Sequence, residues 1–199
     1  MARRSIVWVK EDPLGAEFAE VTIAREVLKA SGTAVGSAPF GYRLDYWLLT
    51  SRGFVTTALV VIARGEGWRR RLDLRRSRSG QWTARARVSG TVDLPPAGGD
   101  MSAIEGALDC DLALSPMTNT MPVLRHGLLE GGGPVEFLMA WVSVPDLRVL
   151  PSRQRYTFAR KSGDQSTVRY ESSSRDFVAD LAFDQDGLCL NYPGLGRSV

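Results

Sequence analysis

Asp109 and Asp111 stand two residues apart in LDCDLALSPMTNTMPVLR, residues 108–125. From Leu108 to Leu114 the apolar residues fall on every second position, the signature of a strand with one apolar face. Both carboxylates then project from the other face, about 6.6 Å apart along the chain. Such a pair could ligate a metal or divide into acid and base. A solvated strand face, or acids paired to arginines, is the commoner outcome for that pattern. Pro116 and Pro122 bracket Thr118, Asn119 and Thr120, and Arg125 closes the stretch. Neither proline suits a central ladder, so the spacing predicts a strand, a polar crossing and a return. A second polar cluster, Arg153, Gln154, Arg155 and Tyr156, places its two arginines on one side by alternation. They could answer the two carboxylates in a buried ion pair, or hold an anionic or sugar-bearing headgroup.

Other chemistry finds little support. His126 is the only histidine in the chain. That excludes most zinc sites, and any serine or cysteine nucleophile paired to a histidine unless His126 serves it. A lone histidine after an arginine in a loop reads as a surface residue. No nucleophile elbow, P-loop or dinucleotide fingerprint is present. Asp184-Gln185-Asp186-Gly187 opens like a calcium loop but lacks the later ligands and closing glutamate, and reads as a hairpin turn. Nothing here calls for a metal or cofactor. Cys110 and Cys189 each lie on the apolar side of a strand-like stretch, as buried thiols do.

The run WRRRLDLRRSR, residues 68–78, alternates in the same way. Arg69, Arg71, Asp73 and Arg75 share one face; Trp68, Arg70, Leu72 and Leu74 share the other. Arg85 and Arg87 on the next strand extend the basic side. It could meet phosphates or anionic lipid headgroups, or serve as a solvated face that discourages edge pairing.

The elements that must carry these residues are strands. Helical periodicity with caps is scarce, whereas short apolar-alternating runs recur between glycine and proline punctuation. Strands are expected over 18–28, 42–50, 54–63, 68–76 and 82–88, the last four as a meander. DLPPAGGD, residues 93–100, is a loop, and Met101 to Ala107 allows a short helical turn. Further strands are expected over 135–144, 154–160, 168–172, 177–183 and 188–192, with Gln185-Asp186-Gly187 turning the last hairpin. The expected fold is all-β and mainly antiparallel, a large, strongly curved sheet or open β-barrel with few or no helices, forming one domain over residues 1–199.

Composition agrees. The chain has 199 residues, 44% hydrophobic and 24% charged, with a formal net charge of +3. A small excess of that kind is a weak basis for nucleic acid, so no nucleic-acid partner is expected. The apolar run after Arg4 is too short for a signal peptide. Phe54 to Ala63 is about half the length a membrane-spanning helix needs. The expected location is cytoplasmic. Oligomeric state is not legible.

The blocks LDCDLALSPMTNTMPVLR, VSVPDLRVLPSRQRYTF, VRYES and DQDGLCLNYPGLGRSV together resemble the bacterial putative glycolipid-binding family. The resemblance implies a mostly antiparallel, barrel-like fold, similar in shape to the lipoprotein carriers of the bacterial envelope. It implies a lipid or glycolipid ligand and no catalytic residues. On this reading an apolar groove inside the barrel takes the acyl chains. Asp109, Asp111, Thr118, Asn119, Thr120, Arg125, Arg153, Arg155 and Tyr156 orient the headgroup at its mouth. Two other readings stay open: a hydrolase acting on a lipid or sugar conjugate through Asp109 and Asp111, and a structural or interaction module with a filled barrel.

Overall fold

The computed structural model describes residues 1–199. Fourteen strands follow in chain order. The first seven are β1 (Ala2–Lys10), β2 (Gly15–Ala24), β3 (Val27–Gly36), β4 (Tyr42–Thr50), β5 (Thr56–Gly65), β6 (Trp68–Arg76) and β7 (Trp82–Gly90). After a loop come β8 (Asp109–Leu112), the helix α1 (Thr120–Arg125), β9 (Val135–Val142), β10 (Val149–Ser162), β11 (Gln165–Ser172), β12 (Phe177–Phe183), β13 (Cys189–Tyr192) and β14 (Gly196–Ser198).

All strands join one sheet, ordered β7-β6-β5-β4-β3-β2-β1-β14-β13-β12-β11-β10-β9-β8. Every pairing is antiparallel except β8 with β9. The order does not return on itself, so the barrel is open. The gap between its two edges is bridged by side chains and loops. Thr56 at the start of β5 donates its amide to the Leu108 carbonyl at 3.0 Å. Its hydroxyl accepts from the Cys110 amide at 3.1 Å. Trp82 on β7 donates from its indole to the Ala107 carbonyl.

Alternation decides which face turns inward. On β4, Tyr42, Leu44, Tyr46 and Leu48 are buried, while Arg43, Trp47 and Leu49 are exposed. On β6 the buried set is Trp68, Arg70, Leu72 and Leu74, the face that alternation assigns. Arg70 is compatible with that interior because it donates to the carbonyls of Leu94, Pro95 and Asp146, which pins the 93–100 loop over the sheet. One core of 30 buried residues joins the inner face of β1–β7 to β8, β9 and α1, and a second of 11 lies under β9–β13. The interior expected to form an apolar groove is thus occupied by Trp8, Tyr46, Leu59, Leu72 and their neighbours.

Three expectations differ. The 18–28 stretch divides into two strands at Arg25 and Glu26, which take φ of 51° and 62°. That is the backbone of a tight hairpin turn, here built without the usual asparagine or glycine signal. β10 begins at Val149 and runs through Pro151, which sequence reasoning treats as a break. Residues 149–153 pair with β9 alone, and β11 joins only from Gln154, so the missing amide costs no ladder bond. The polar crossing between Pro116 and Pro122 is helical: a 3-10 turn over Pro116–Asn119 runs into α1. Both prolines fall in first turns, where the lost N–H would have no partner anyway.

Candidate functional site

β8 is the shortest strand before the C-terminal hairpins, and its two acids do not share a solvated face. Asp109 is buried, 1% exposed, because α1 folds back over it. Arg125, the last residue of α1, grips its carboxylate with both guanidinium nitrogens. Burial pushes the Asp109 carboxyl above its ordinary value, and the Arg125 hydrogen bonds and charge work against that rise. Arg125, rather than Arg153 or Arg155, is therefore the arginine that answers this acid. Shielded and doubly bonded, Asp109 is not placed to exchange a proton with a ligand.

Asp111 is only partly buried and faces a pocket. Thr118 donates to its Oδ1 at 2.9 Å and Gln154 Nε2 to its Oδ2 at 2.6 Å. Arg175, in the turn after β11, lies 4.0 Å from Oδ2. Arg175 is held by the hydroxyls of Tyr170 and Ser172 and stands 5.3 Å from the centre of the Trp141 ring. Beside Asp111, Asn119 donates to the Pro116 carbonyl and accepts from the Tyr156 hydroxyl at 2.8 Å. Edge-to-face contacts link Tyr156 to Tyr170 and Tyr170 to Tyr192. Burial raises the Tyr170 hydroxyl to about 12 and Tyr192 higher still. Both stay protonated donors at any ordinary pH.

The pocket so framed encloses about 220 Å³. Asp111 and Asn119 lie on one wall; Trp141, Arg175, Phe177 and Tyr192 form the others, with Leu114 and Leu195 at the sides. Leu114 holds a left-handed backbone, φ 61°, an uncommon conformation for a branched side chain that turns the chain out of β8. The volume is below the roughly 300–1,000 Å³ of sites for drug-sized molecules, so it suits one compact headgroup. A carboxylate accepts from hydroxyls, a guanidinium donates to them, and aromatic faces cover the apolar side of a ring. The Trp141 indole N–H is buried without a protein partner.

The nine residues singled out in the sequence therefore separate. Asp111 and Asn119 line the pocket; Thr118 and Tyr156 stand immediately behind them. Asp109 and Arg125 form a buried ion pair. Thr120 is buried with an unpartnered hydroxyl. Arg153 and Arg155 are on the outer face, where Arg155 pairs with Glu136 at 2.8 Å and lies near Glu171. They border a separate shallow depression of about 310 Å³. The alternation that groups them also turns Gln154 and Tyr156 inward. Trp141, Arg175, Phe177 and Tyr192 escape sequence reasoning because they come from three separate strands and a turn. Only the tyrosine of NYPGL lies in a stretch the sequence makes conspicuous.

His126 caps α1 and is exposed, as expected of a lone loop histidine, with its ring edge-on against Phe137, ring centres 5.1 Å apart. Burial lowers its pKa, assisted by the Arg125 charge. The unfolded chain then binds more protons than the folded one just below the ordinary histidine value near 6.5. Stability is full above that value and is lost as pH falls through the folded pKa. A His126→Gln variant should show a flatter dependence of Tm on pH just below about 6.5 than the unaltered protein, as read by circular dichroism.

The sequence model of the family described as "Putative glycolipid-binding" matches residues 5–198. A crystal structure of a DUF1089 family protein from Pseudomonas aeruginosa is similar, with 26% sequence identity and a TM-score of 0.69 over 92% of each chain. No curated protein matches this chain. No helix is long and apolar enough to cross a membrane.

Proposed function

The chain belongs to the family described as "Putative glycolipid-binding", and from that premise we propose that the Asp111–Arg175 pocket binds the hydroxyl-rich headgroup of a glycolipid without transforming it. The observation that carries this reading is the company Asp111 keeps. An acid and a guanidinium, each held from behind by protein hydrogen bonds, share a small cavity with three aromatic rings. Prearranged polar groups cost little to order when a ligand arrives. Leu114 and Leu195 receive the first apolar carbons beyond the headgroup. The acyl chains stay outside the packed interior.

The test is mass spectrometry of organic extracts from protein purified without detergent. A stoichiometric lipid bearing sugar or polyol hydroxyls is expected from the unaltered protein. Trp141→Ala removes a ring face and the partner of the Arg175 cation, and should lower ligand occupancy roughly tenfold in competitive reloading. An extract without such a lipid, or one retained equally by Trp141→Ala, would sink the reading.

A further inference from the structure

The outer face of β1–β7 combines a concentrated positive charge with exposed apolar side chains, and neither feature has any role in the pocket. Register places its side chains in rows across the seven strands. Arg3 on β1, Lys29 on β3, Arg43 on β4 and Arg64 on β5 point outward. β6 adds Arg69, Arg71 and Arg75, and β7 adds Arg85 and Arg87. Against these nine cations the face holds three acids, Glu20, Asp45 and Asp73. The face is therefore net +6, whereas the whole chain is +3. Asp45 is already engaged by Arg43 and Arg64, and Asp73 by Arg75, so the acids that could neutralise further charge are largely used.

Among these charges lie apolar residues that a solvated face does not need. Trp47 is 49% exposed and Leu49 40% exposed. Trp47 sits directly opposite Val60, and Leu49 opposite Ala58, so they form one patch. Arg3, Lys29 and Arg75 surround it, enclosing a shallow depression of about 600 Å³. Phe18 and Val7, opposite one another on β2 and β1, form a second exposed apolar pair on the same face.

We infer that this convex face docks on an anionic lipid bilayer. Cations attract the negatively charged headgroups, and a tryptophan flanked by aliphatic residues settles at the headgroup level. A nucleic acid would satisfy the cations but leave Trp47, Leu49 and Phe18 in water, which favours the bilayer. The patch stands at the Arg3 end of β1, whereas the loop after Lys10 at its other end reaches the pocket through Asp12. Nine residues of strand, roughly 30 Å, separate the two. The inference is therefore independent of what the pocket holds.

Vesicle co-sedimentation tests it, with phosphatidylglycerol vesicles, phosphatidylcholine vesicles and duplex DNA as three probes. Binding is expected to phosphatidylglycerol, weakening as salt rises, and much weaker to phosphatidylcholine. Each cation removed costs roughly fivefold, so Arg3→Gln with Lys29→Gln should lower affinity about 25-fold. Trp47→Ser should lower it roughly tenfold. All three side chains are exposed, so unchanged circular dichroism is expected throughout. Trp141→Ala, in the pocket, should leave vesicle affinity unchanged. Equal binding to both lipids, no effect of Trp47→Ser, tighter binding to DNA than to vesicles, or loss of vesicle binding in Trp141→Ala would each overturn the proposal.

Discussion

Arg125→Met should lower the melting temperature of the protein by roughly 6–20 °C. The guanidinium bridges both oxygens of Asp109, and that carboxylate is 1% exposed. With the arginine gone, a charge is left in an apolar setting between β8 and α1, and breaking such a pair costs about 3–5 kcal/mol. A chain of this size loses about 2–4 °C per kcal/mol, which sets the range. Two further measurements identify the cause. Replacing both partners, as Asp109→Leu with Arg125→Met, removes the stranded charge and should recover most of the loss. Lowering the pH should narrow the gap between Arg125→Met and the parent, because the unpaired acid takes up a proton in preference to staying charged. A single variant as stable as the parent would show that water reaches Asp109. If so, its exclusion from proton exchange would no longer hold.

Lys10→Met should destabilise by a similar amount, about 3–5 kcal/mol. Lys10 and Glu17 lie at the adjoining ends of β1 and β2, 4% and 1% exposed, with Nζ and Oε2 3.1 Å apart. Glu17 is the hub of a wider cluster: Tyr46 donates to it from β4 at 2.9 Å, and Ser115, beyond β8, at 2.6 Å. Burial, then the Glu17 charge, pushes the Tyr46 hydroxyl well above its ordinary value, so it remains a donor. Those two donors survive in Lys10→Met, but the neutralising cation does not. In Lys10→Met with Glu17→Gln the charge is absent and the donors keep an amide oxygen to bond, so most of the stability should return. Chemical denaturation with an unchanged m-value would confirm that the folded cluster, and not the unfolded chain, carries the effect.

The strands of this fold are legible where one face is apolar and the other polar. β4, β6 and β11 fall almost where alternation puts them, and so does the hairpin after Asp184, whose Gly187 holds φ 79°. Alternation is silent where both faces are covered. Asp109 looks like a surface acid because nothing in LDCDL says that α1 will lie across it. α1 in turn is hidden by two prolines that sequence rules count as breakers, although each occupies a helical first turn. The pocket is harder still. Asp111 and Asn119 are visible as candidates, yet Trp141 and Arg175 reach Asp111 from strands and turns far along the chain. The sheet order that unites them is a long-range property, absent from any local window. The outward placement of Arg153 and Arg155 has a simpler origin: alternation defines two faces without saying which is inside, and the interior took Gln154 and Tyr156.

The sheet order also bears on how the chain assembles. From β1 to β7, and again from β9 to β13, each strand pairs with its immediate successor, so these tracts can form by short, fast hairpin closures. The seam between β1 and β14 is different: it joins Trp8 to Ser198, and the Trp8 indole bonds the Cys189 carbonyl 181 positions away. Closing a loop of that length costs more entropy than closing a hairpin, by about 0.6 kcal/mol per doubling. Few bonds reward it until the buried Trp8 has docked. The two halves should therefore zip early and the seam late. Substitutions at Trp8 should then speed unfolding while leaving the refolding rate nearly unchanged.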